Sequence, residues 1–318
     1  MFLESFKITG FAVGQIFLLA AIGYLLIKKN ILNHQGLDAL SKLVIGITLP
    51  LLIFCQLVKD FKFSLYPHWW VFPLLSIVIT GAGLIAGAVF IGFIRGAQEK
   101  AQFLSLVTFQ NSGYLPLGLI VALLPRDQAG TLLVYLFLFL LGFNLVIWSL
   151  GTYILSFHQR KRFELGSLFS PPVIAILFSL LFIFLGLDKF MPEALVKPLR
   201  LVGDCTLPLA MFVIGGNLAQ IQLGKINKKA ISLVFLAKLI ILPLAGLLLI
   251  LKFKLPQLLG LLILMELAMP PATSLSLITR HYKQEDLLIS QGVFFSHILS
   301  ILTIPLFLSL YFTLVMIK

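Results

Sequence analysis

Long apolar runs alternate with short polar connections along the whole chain, and the connections carry most of the charge. A helix that spans a bilayer needs about 20 mostly apolar residues, and about ten stretches meet this requirement. We therefore predict an all-α membrane protein. The predicted spans, numbered in chain order, are 8–27, 37–58, 69–94, 101–124, 130–156, 171–187, 196–219, 229–252, 256–279 and 286–315.

The composition is that of a membrane protein. Hydrophobic residues make up 60%, charged residues 11%, and the mean hydropathy is +1.07, far from the values of a soluble domain. The first apolar run could be a signal peptide, but it continues to Ile27 and ends in Lys28 and Lys29 rather than in a small-residue cleavage site. We interpret it as the first span.

The net charge of +12 would suggest a nucleic-acid partner in a soluble protein. Here the basic residues flank the spans, where they orient and anchor helices, so no nucleic-acid partner is expected. With the N-terminus outside, the dense clusters all fall inside; they are Lys28 and Lys29, Arg95 and Lys100, 160–162, 225–229, and Arg280 and Lys283. We predict a multi-pass protein of the cell (inner) membrane with both termini outside.

The sequence offers no sign of a cofactor or a metal site. Cys55 and Cys205 both lie in predicted spans, and their spacing indicates neither a disulfide framework nor metal ligation. The phosphate-binding motif G-x-x-x-x-G-K-[ST] does not occur, so ATP-driven work would require a partner.

A segment of the second span recurs in the seventh. Residues 42–54 and 200–212 match identically at seven of 13 positions, including Thr-Leu-Pro-Leu followed by Phe at equal spacing. A displacement of five spans reverses direction across the bilayer, so we predict two inverted five-helix repeats. They would cover residues 1–156 and 171–318, joined by a short basic cytoplasmic linker, 157–170.

Spans 4 and 9 are both interrupted by helix-breaking and polar residues. Span 4 contains Gln110–Gly118 and span 9 contains Glu266–Ser274. Each proline could simply kink a packed helix, but irregular backbone at bilayer depth is tolerated only inside protein or along a cavity. We predict two unwound helices that cross at the midplane, shaped by Gly113, Pro116, Pro270 and Pro271. The half-helix N-termini would favour an anion, with Thr273 and Ser274 suited to capping.

Several motifs in this order resemble the auxin efflux carrier family, which includes plant PIN proteins and bacterial malonate-type carriers. They are Asn-Ser-Gly-Tyr-Leu-Pro at 111–116, Pro208–Gly215, Met269-Pro-Pro with Tyr282 beyond it, and Ile289–Pro305. The resemblance implies ten helices in inverted five-helix repeats, in which helices 4 and 9 cross. It also implies a scaffold of helices 1, 2, 6 and 7 and a moving transport domain. The implied substrates are organic anions, and the implied assembly is a homodimer. The 14-residue central linker replaces the long hydrophilic loop of canal-type plant members, so a bacterial type is favoured.

Three ionisable residues fall within predicted spans, where charge is costly and tends to be paired or functional. Lys238 and Glu266 could pair and hold neighbouring helices together; alternatively, Lys238 attracts a carboxylate while Glu266 takes up a proton. Asp204 could be a solvated acid in a kinked helix or a contact for proton or substrate. Low dielectric would disfavour the charged form of Glu266, and a nearby Lys238 would oppose that effect.

Polar side chains at the breaks are the candidate substrate ligands. Asn111 and Ser112 either satisfy free backbone groups or donate to substrate, and Tyr114 either lines the cavity or packs. Gln291, Ser296 and His297 form a weaker polar set in span 10, and a lone membrane histidine more often bonds within the bundle. The predicted substrate-binding set is Asn111, Ser112, Tyr114, Thr273, Ser274 and Gln291; Asn217 is expected to cap a helix and Asn144 to bond between helices.

These features favour a secondary carrier for a small organic anion, expected to be a carboxylate, with elevator-type alternating access and proton linkage. A sodium-coupled bile-acid-type symporter is the alternative, since Asn111, Ser112, Thr273, Ser274 and Glu266 supply oxygen ligands. A channel remains open as another class. An intramembrane enzyme would need clustered catalytic groups, and only one of the five histidines, His297, lies in a span.

Overall fold

The structure is a computed structural model that describes residues 1–156, 168–221, 224, 226–281 and 287–316. Seven of the described helices are long and apolar enough to cross a membrane. They are α1 (Phe2–Lys28), α2 (His34–Asp60), α3 (Val71–Phe93), α6 (Arg126–Leu155), α8 (Glu193–Gln220), α9 (Lys228–Phe253) and α12 (Leu287–Met316). The all-α membrane class is therefore confirmed.

Shorter helices occupy the remaining predicted spans. α7 (Pro171–Phe184) covers span 6. Span 4 is divided into α4 (Ala97–Thr108) and α5 (Tyr114–Leu123), and span 9 into α10 (Gln257–Ala268) and α11 (Ser274–His281). The inverted relation between the two halves stays a prediction. Residues 157–167 of the linker, Lys225, Tyr282 and Lys283 lie outside the described residues.

Both copies of the repeated motif distort the helix one turn before their proline. A proline ring clashes with the carbonyl of the residue four positions earlier and removes a backbone donor. Ahead of Pro50, α2 widens into a π-helical turn over Val44–Thr48. Ahead of Pro208, the regular helix ends at Asp204 and resumes at Thr206. The shared sequence thus produces a local break in the same place in each copy.

Glycines allow the closest helix approaches. The backbones of α1 and α8 touch where Gly215 faces the Ala20 carbonyl and Gly23 faces Phe212. A methyl group at either glycine would overlap backbone atoms of the other helix. Small residues serve the same purpose in other membrane bundles, where backbone contact replaces the hydrophobic effect as the source of helix association.

The helices form two groups by their contacts. In one group, α1 packs on α8, and α2 packs on α7 and on the first half of α8. In the other, α3 packs on α4 and α6, and α10 packs on α9 and α12. The groups meet along α1 and α12, where the buried Thr9 hydroxyl lies 2.8 Å from the Ser309 hydroxyl. The breaks in spans 4 and 9 lie beside another part of this boundary.

Candidate substrate site

The breaks in spans 4 and 9 pair with each other through their backbones. Asn111 N–H donates to the Pro270 carbonyl at 2.8 Å, and Ala272 N–H donates to the Phe109 carbonyl at 2.9 Å. Gln110 and Pro271 thereby form an isolated antiparallel bridge. Backbone N–H and carbonyl groups without hydrogen bonds are costly away from water. Each unwound segment therefore supplies hydrogen-bond partners for backbone groups of the other segment.

A cavity of about 160 Å³ lies against this paired backbone. Six of the predicted site residues line it together: Asn111, Ser112, Gly113, Tyr114, Thr273 and Ser274. The opposite walls come from α2, α6, α7 and α8 and are largely apolar, for example Leu49, Phe143, Trp148 and Val213. An apolar pocket with a few convergent polar groups is the usual form of a small-molecule site.

The N-terminus of α5 lies at this cavity and has no side-chain cap. α5 begins after Gly113, where no side chain accepts from the first turn, and Pro116 brings no N–H of its own. The first N–H groups of a helix have no partner inside it, and the helix dipole makes this end partly positive. The cavity is therefore lined by groups that suit an anion.

Lys238 and Glu266 lie behind this backbone, where Gln110 connects them. The Lys238 Nζ lies 3.5 Å from Gln110 Oε1, and Gln110 Nε2 donates to Glu266 Oε2 at 3.4 Å. All three side chains are fully buried. No direct ion pair within 4 Å joins Lys238 to Glu266, although their charges interact. The expected pair is therefore bridged by an amide whose carbonyl and N–H ends match the two charges.

The cluster keeps unused hydrogen-bonding capacity. Glu266 Oε1 and the Ser112 hydroxyl are both buried near each other, and neither makes a hydrogen bond of good geometry. A buried polar group without a partner costs stability and calls for a functional explanation. Ser112 also lines the cavity, so these atoms adjoin the candidate site.

Asn111 has a second contact, with a histidine of α12. Its Nδ2 lies 3.4 Å from His297 Nε2, and His297 Nδ1 lies 2.8 Å from the Val293 carbonyl oxygen. His297 is fully buried. The Asn111 amide, which lines the cavity, therefore also contacts the His297 imidazole.

One family model matches most of the chain, in two overlapping segments. A family model described as "Membrane transport protein" matches residues 11–165 and matches again over residues 157–308. The chain belongs to this family. It is a multi-pass membrane transport protein of the auxin efflux carrier type, as the motif resemblance predicted, and the family is one of transporters rather than enzymes. Among curated proteins, no significant match was found.

Other predicted site residues of this membrane transport protein lie away from the cavity. Gln291 is buried in α12, where its Oε1 accepts from the Asn227 N–H at 3.2 Å. Asp204 is exposed where the first helical part of α8 ends. Pro116 is buried within α5, while Pro270 and Pro271 lie in the second break.

Two secondary predictions are wrong. Asn144 does not bond between helices, because its Nδ2 donates to the Leu140 carbonyl of its own helix at 2.8 Å. Asn217 does not cap α8, since that helix continues to Gln220 and the following residue, Ile221, occupies the cap position. Both asparagines instead line the cavity.

Gln110 is the residue that sequence reasoning missed. In the sequence it is the first residue of the span 4 break, and no motif assigns it a role. Its signal was present, because an amide at an unwound segment beside two intramembrane charges is a natural bridge between them.

Proposed function

We propose that the protein is a secondary carrier that moves a small organic anion, a mono- or dicarboxylate, across the cell (inner) membrane. The observation that carries this proposal is the cavity at the paired breaks, where the uncapped start of α5 and the Asn111 amide converge. Membership of a transporter family supplies the reaction class. The donors around the cavity supply the preference for an anion.

Alternating access by an elevator-type movement fits the two contact groups of helices. The scaffold would contain α1, α2, α7 and α8, and the other helices would slide against it. The cavity has walls from both groups, so such sliding would carry a bound anion past the scaffold. Support for inverted repeats over 1–156 and 171–318 comes from the two family matches and from the equivalent distortions before Pro50 and Pro208.

A homodimer is also part of the proposal. Arg200 and Asp204 are exposed in the first half of the 28-residue helix α8. Charged side chains are expensive on a lipid-facing surface, so a second copy that covers this face would lower the cost. Asp204 would then have a structural role in place of the expected role in proton linkage.

Proton linkage is proposed through Glu266 rather than Asp204. Glu266 lies beside the cavity wall and retains a free buried oxygen, whereas Asp204 faces outward. Sodium coupling remains the alternative, because Asn111, Ser112, Thr273 and Ser274 offer oxygen atoms. The Lys238 ammonium next to Gln110 opposes the binding of either cation, so it does not favour one of them.

Removal of the Asn111 side chain tests the site. We expect Asn111→Ala to reduce carboxylate transport into proteoliposomes at least about tenfold, since a lost hydrogen bond to a charged ligand is worth roughly 1.5–3 kcal/mol. The melting temperature in detergent should change little. Gln35→Ala, which removes an exposed amide at the start of α2, is the matched control. Wild-type flux in Asn111→Ala would contradict the site.

A further inference from the structure

The hydrogen-bond partners of His297 fix which of its nitrogens carries the proton. A carbonyl oxygen can only accept, so Nδ1, at 2.8 Å from the Val293 carbonyl, must carry a hydrogen. In a neutral ring, Nε2 is then an acceptor. The group that faces it must be a donor, which is the NH₂ end of the Asn111 amide.

This tautomer also determines how many N–H groups of the Asn111 amide are available to a ligand in the cavity. One amide N–H is used by His297, which leaves only one for a ligand. If His297 gains a proton, Nε2 becomes a donor and opposes the NH₂ group. The amide would then turn over, so that Oδ1 accepts from the imidazolium and both N–H bonds point away from it.

We propose that His297 is a positioning residue for the substrate, and that protonation of this ring turns the Asn111 NH₂ group toward an anion in the cavity. The inference rests on the proposed anion site. It adds a group outside the cavity lining that adjusts the affinity of that site. Anion binding and proton binding to His297 would favour each other, because linkage between two ligands is reciprocal.

His297 is fully buried, so its charged form needs a compensating negative charge, which the bound anion would supply. The helices packed on α12 contribute two buried charges, Lys238 of α9 and Glu266 of α10, and both act at Gln110, the residue before Asn111. The other charged or titratable residues of these helices lie near helix ends: Glu4, Lys7, Tyr24 and Lys28 of α1, Glu99 and Lys100 of α4, Lys228, Lys229 and Lys252 of α9, and Arg280 and His281 of α11.

The sign of the pH effect follows directly. Lower pH favours the imidazolium, the turned amide and therefore the anion-bound form. Affinity for the anion should rise as pH falls, by at most about tenfold per pH unit for one linked proton. Glu266 acts differently in the proposed mechanism, because it governs the charge of the moving domain rather than the orientation of Asn111.

Nitrogen NMR of the full chain labelled with ¹⁵N-histidine tests the geometry without any ligand. We expect the wild-type His297 signal to be that of a neutral ring protonated on Nδ1. In Asn111→Asp, an acceptor-only carboxylate faces Nε2, so His297 should give an imidazolium signal at neutral pH. A wild-type ring protonated on Nε2, or an unchanged neutral ring in Asn111→Asp, would overturn the proposal.

Malonate binding tests the linkage. Wild-type protein in weakly buffered detergent should take up as much as about two protons per malonate bound, one at Glu266 and one at His297, and affinity should rise toward low pH. His297→Gln should take up about one proton fewer than wild type, whereas His68→Gln, which alters an exposed histidine, should behave as wild type. Equal uptake in wild type and His297→Gln would refute the linkage. If wild type binds no carboxylate at any pH, the proposed substrate class fails, and the NMR result alone decides the role of His297.

Discussion

At the scale of single residues, Gln110 controls how two opposite charges coexist inside the molecule. Its amide carbonyl faces Lys238 and its amide nitrogen faces Glu266, each at about hydrogen-bond distance. Two full charges that meet directly would gain Coulomb energy but would be locked together. The amide between them stabilises each charge through its own dipole. Glu266 Oε1 makes no hydrogen bond of good geometry and stays available to a proton.

The balance within this cluster can be measured by removing the charges separately and together. Lys238→Met leaves Glu266 buried without a compensating charge, and loss of one partner of a buried pair costs about 3–5 kcal/mol. We expect a clear fall in the melting temperature, and a smaller fall in the double variant Lys238→Met, Glu266→Gln. Thermal unfolding in detergent would show this, with the exposed Lys7→Met as the control. Additive effects of the two substitutions would mean that the charges act independently.

At the scale of helices, the contact between α1 and α8 depends on glycine rather than on large apolar side chains. Gly215 approaches the Ala20 carbonyl so closely that any β-carbon would require backbone movement. By contrast, Gly14 of the same α1 helix has nothing within 4 Å of the position where a β-carbon would stand. The two positions therefore separate the steric role of glycine from its effect on helix propensity.

Gly215→Ala should separate α1 from α8 and lower the melting temperature markedly, because overpacking against a rigid backbone typically costs about 1–3 kcal/mol or more. Gly14→Ala should be neutral or slightly stabilising, since alanine favours a helix over glycine by up to about 1 kcal/mol. Thermal unfolding of both variants in the same detergent makes the comparison. Equal melting temperatures would show that the scaffold contact tolerates separation.

The elements were largely predictable because lipid imposes simple requirements on sequence. Apolar length located the seven helices that are long enough to cross a membrane, and the prolines and glycines located the breaks in spans 4 and 9. The pairing between Asn111 and Pro270 was not predictable from local pattern, because it joins residues far apart in the chain. The Gln110 contacts with Lys238 and Glu266 also join distant parts of the chain, so the sequence indicated the two charges but not the Gln110 amide between them. Asn144 and Asn217 were misjudged because periodicity does not tell which face of a helix meets a cavity.

At the scale of the whole molecule, the cavity lies toward one end of the helices that wall it. Ser41 is near the start of α2, Pro172 near the start of α7, and Asn217 near the end of α8. Under the predicted topology, these helix ends share the side of the dense basic clusters, which is the predicted inside. We therefore expect this conformation to bind its anion from the cytoplasm, with access from the other side in the alternate state.

In the proposed mechanism, the moving domain carries no net buried charge with or without substrate. Without substrate, ionised Glu266 balances Lys238. With a dicarboxylate such as malonate, Lys238 and the His297 imidazolium together balance the substrate once Glu266 has taken up a proton. Both states are then free of net buried charge, which lowers the cost of crossing the membrane. Without a proton, the loaded domain would carry an excess negative charge. Net anion flux should consequently rise as the pH on the substrate side falls.

Glu266→Gln separates these two states. Glutamine resembles the protonated acid, so the loaded domain stays balanced, but the empty domain keeps an uncompensated Lys238. We expect this variant to exchange labelled carboxylate for unlabelled carboxylate across proteoliposomes while it loses net flux and the pH dependence of the maximal rate. Asp204→Asn, on the outward face of α8, should keep the wild-type profile in both assays. If both variants retain wild-type net flux and pH dependence, these acids are structural and the coupling lies elsewhere.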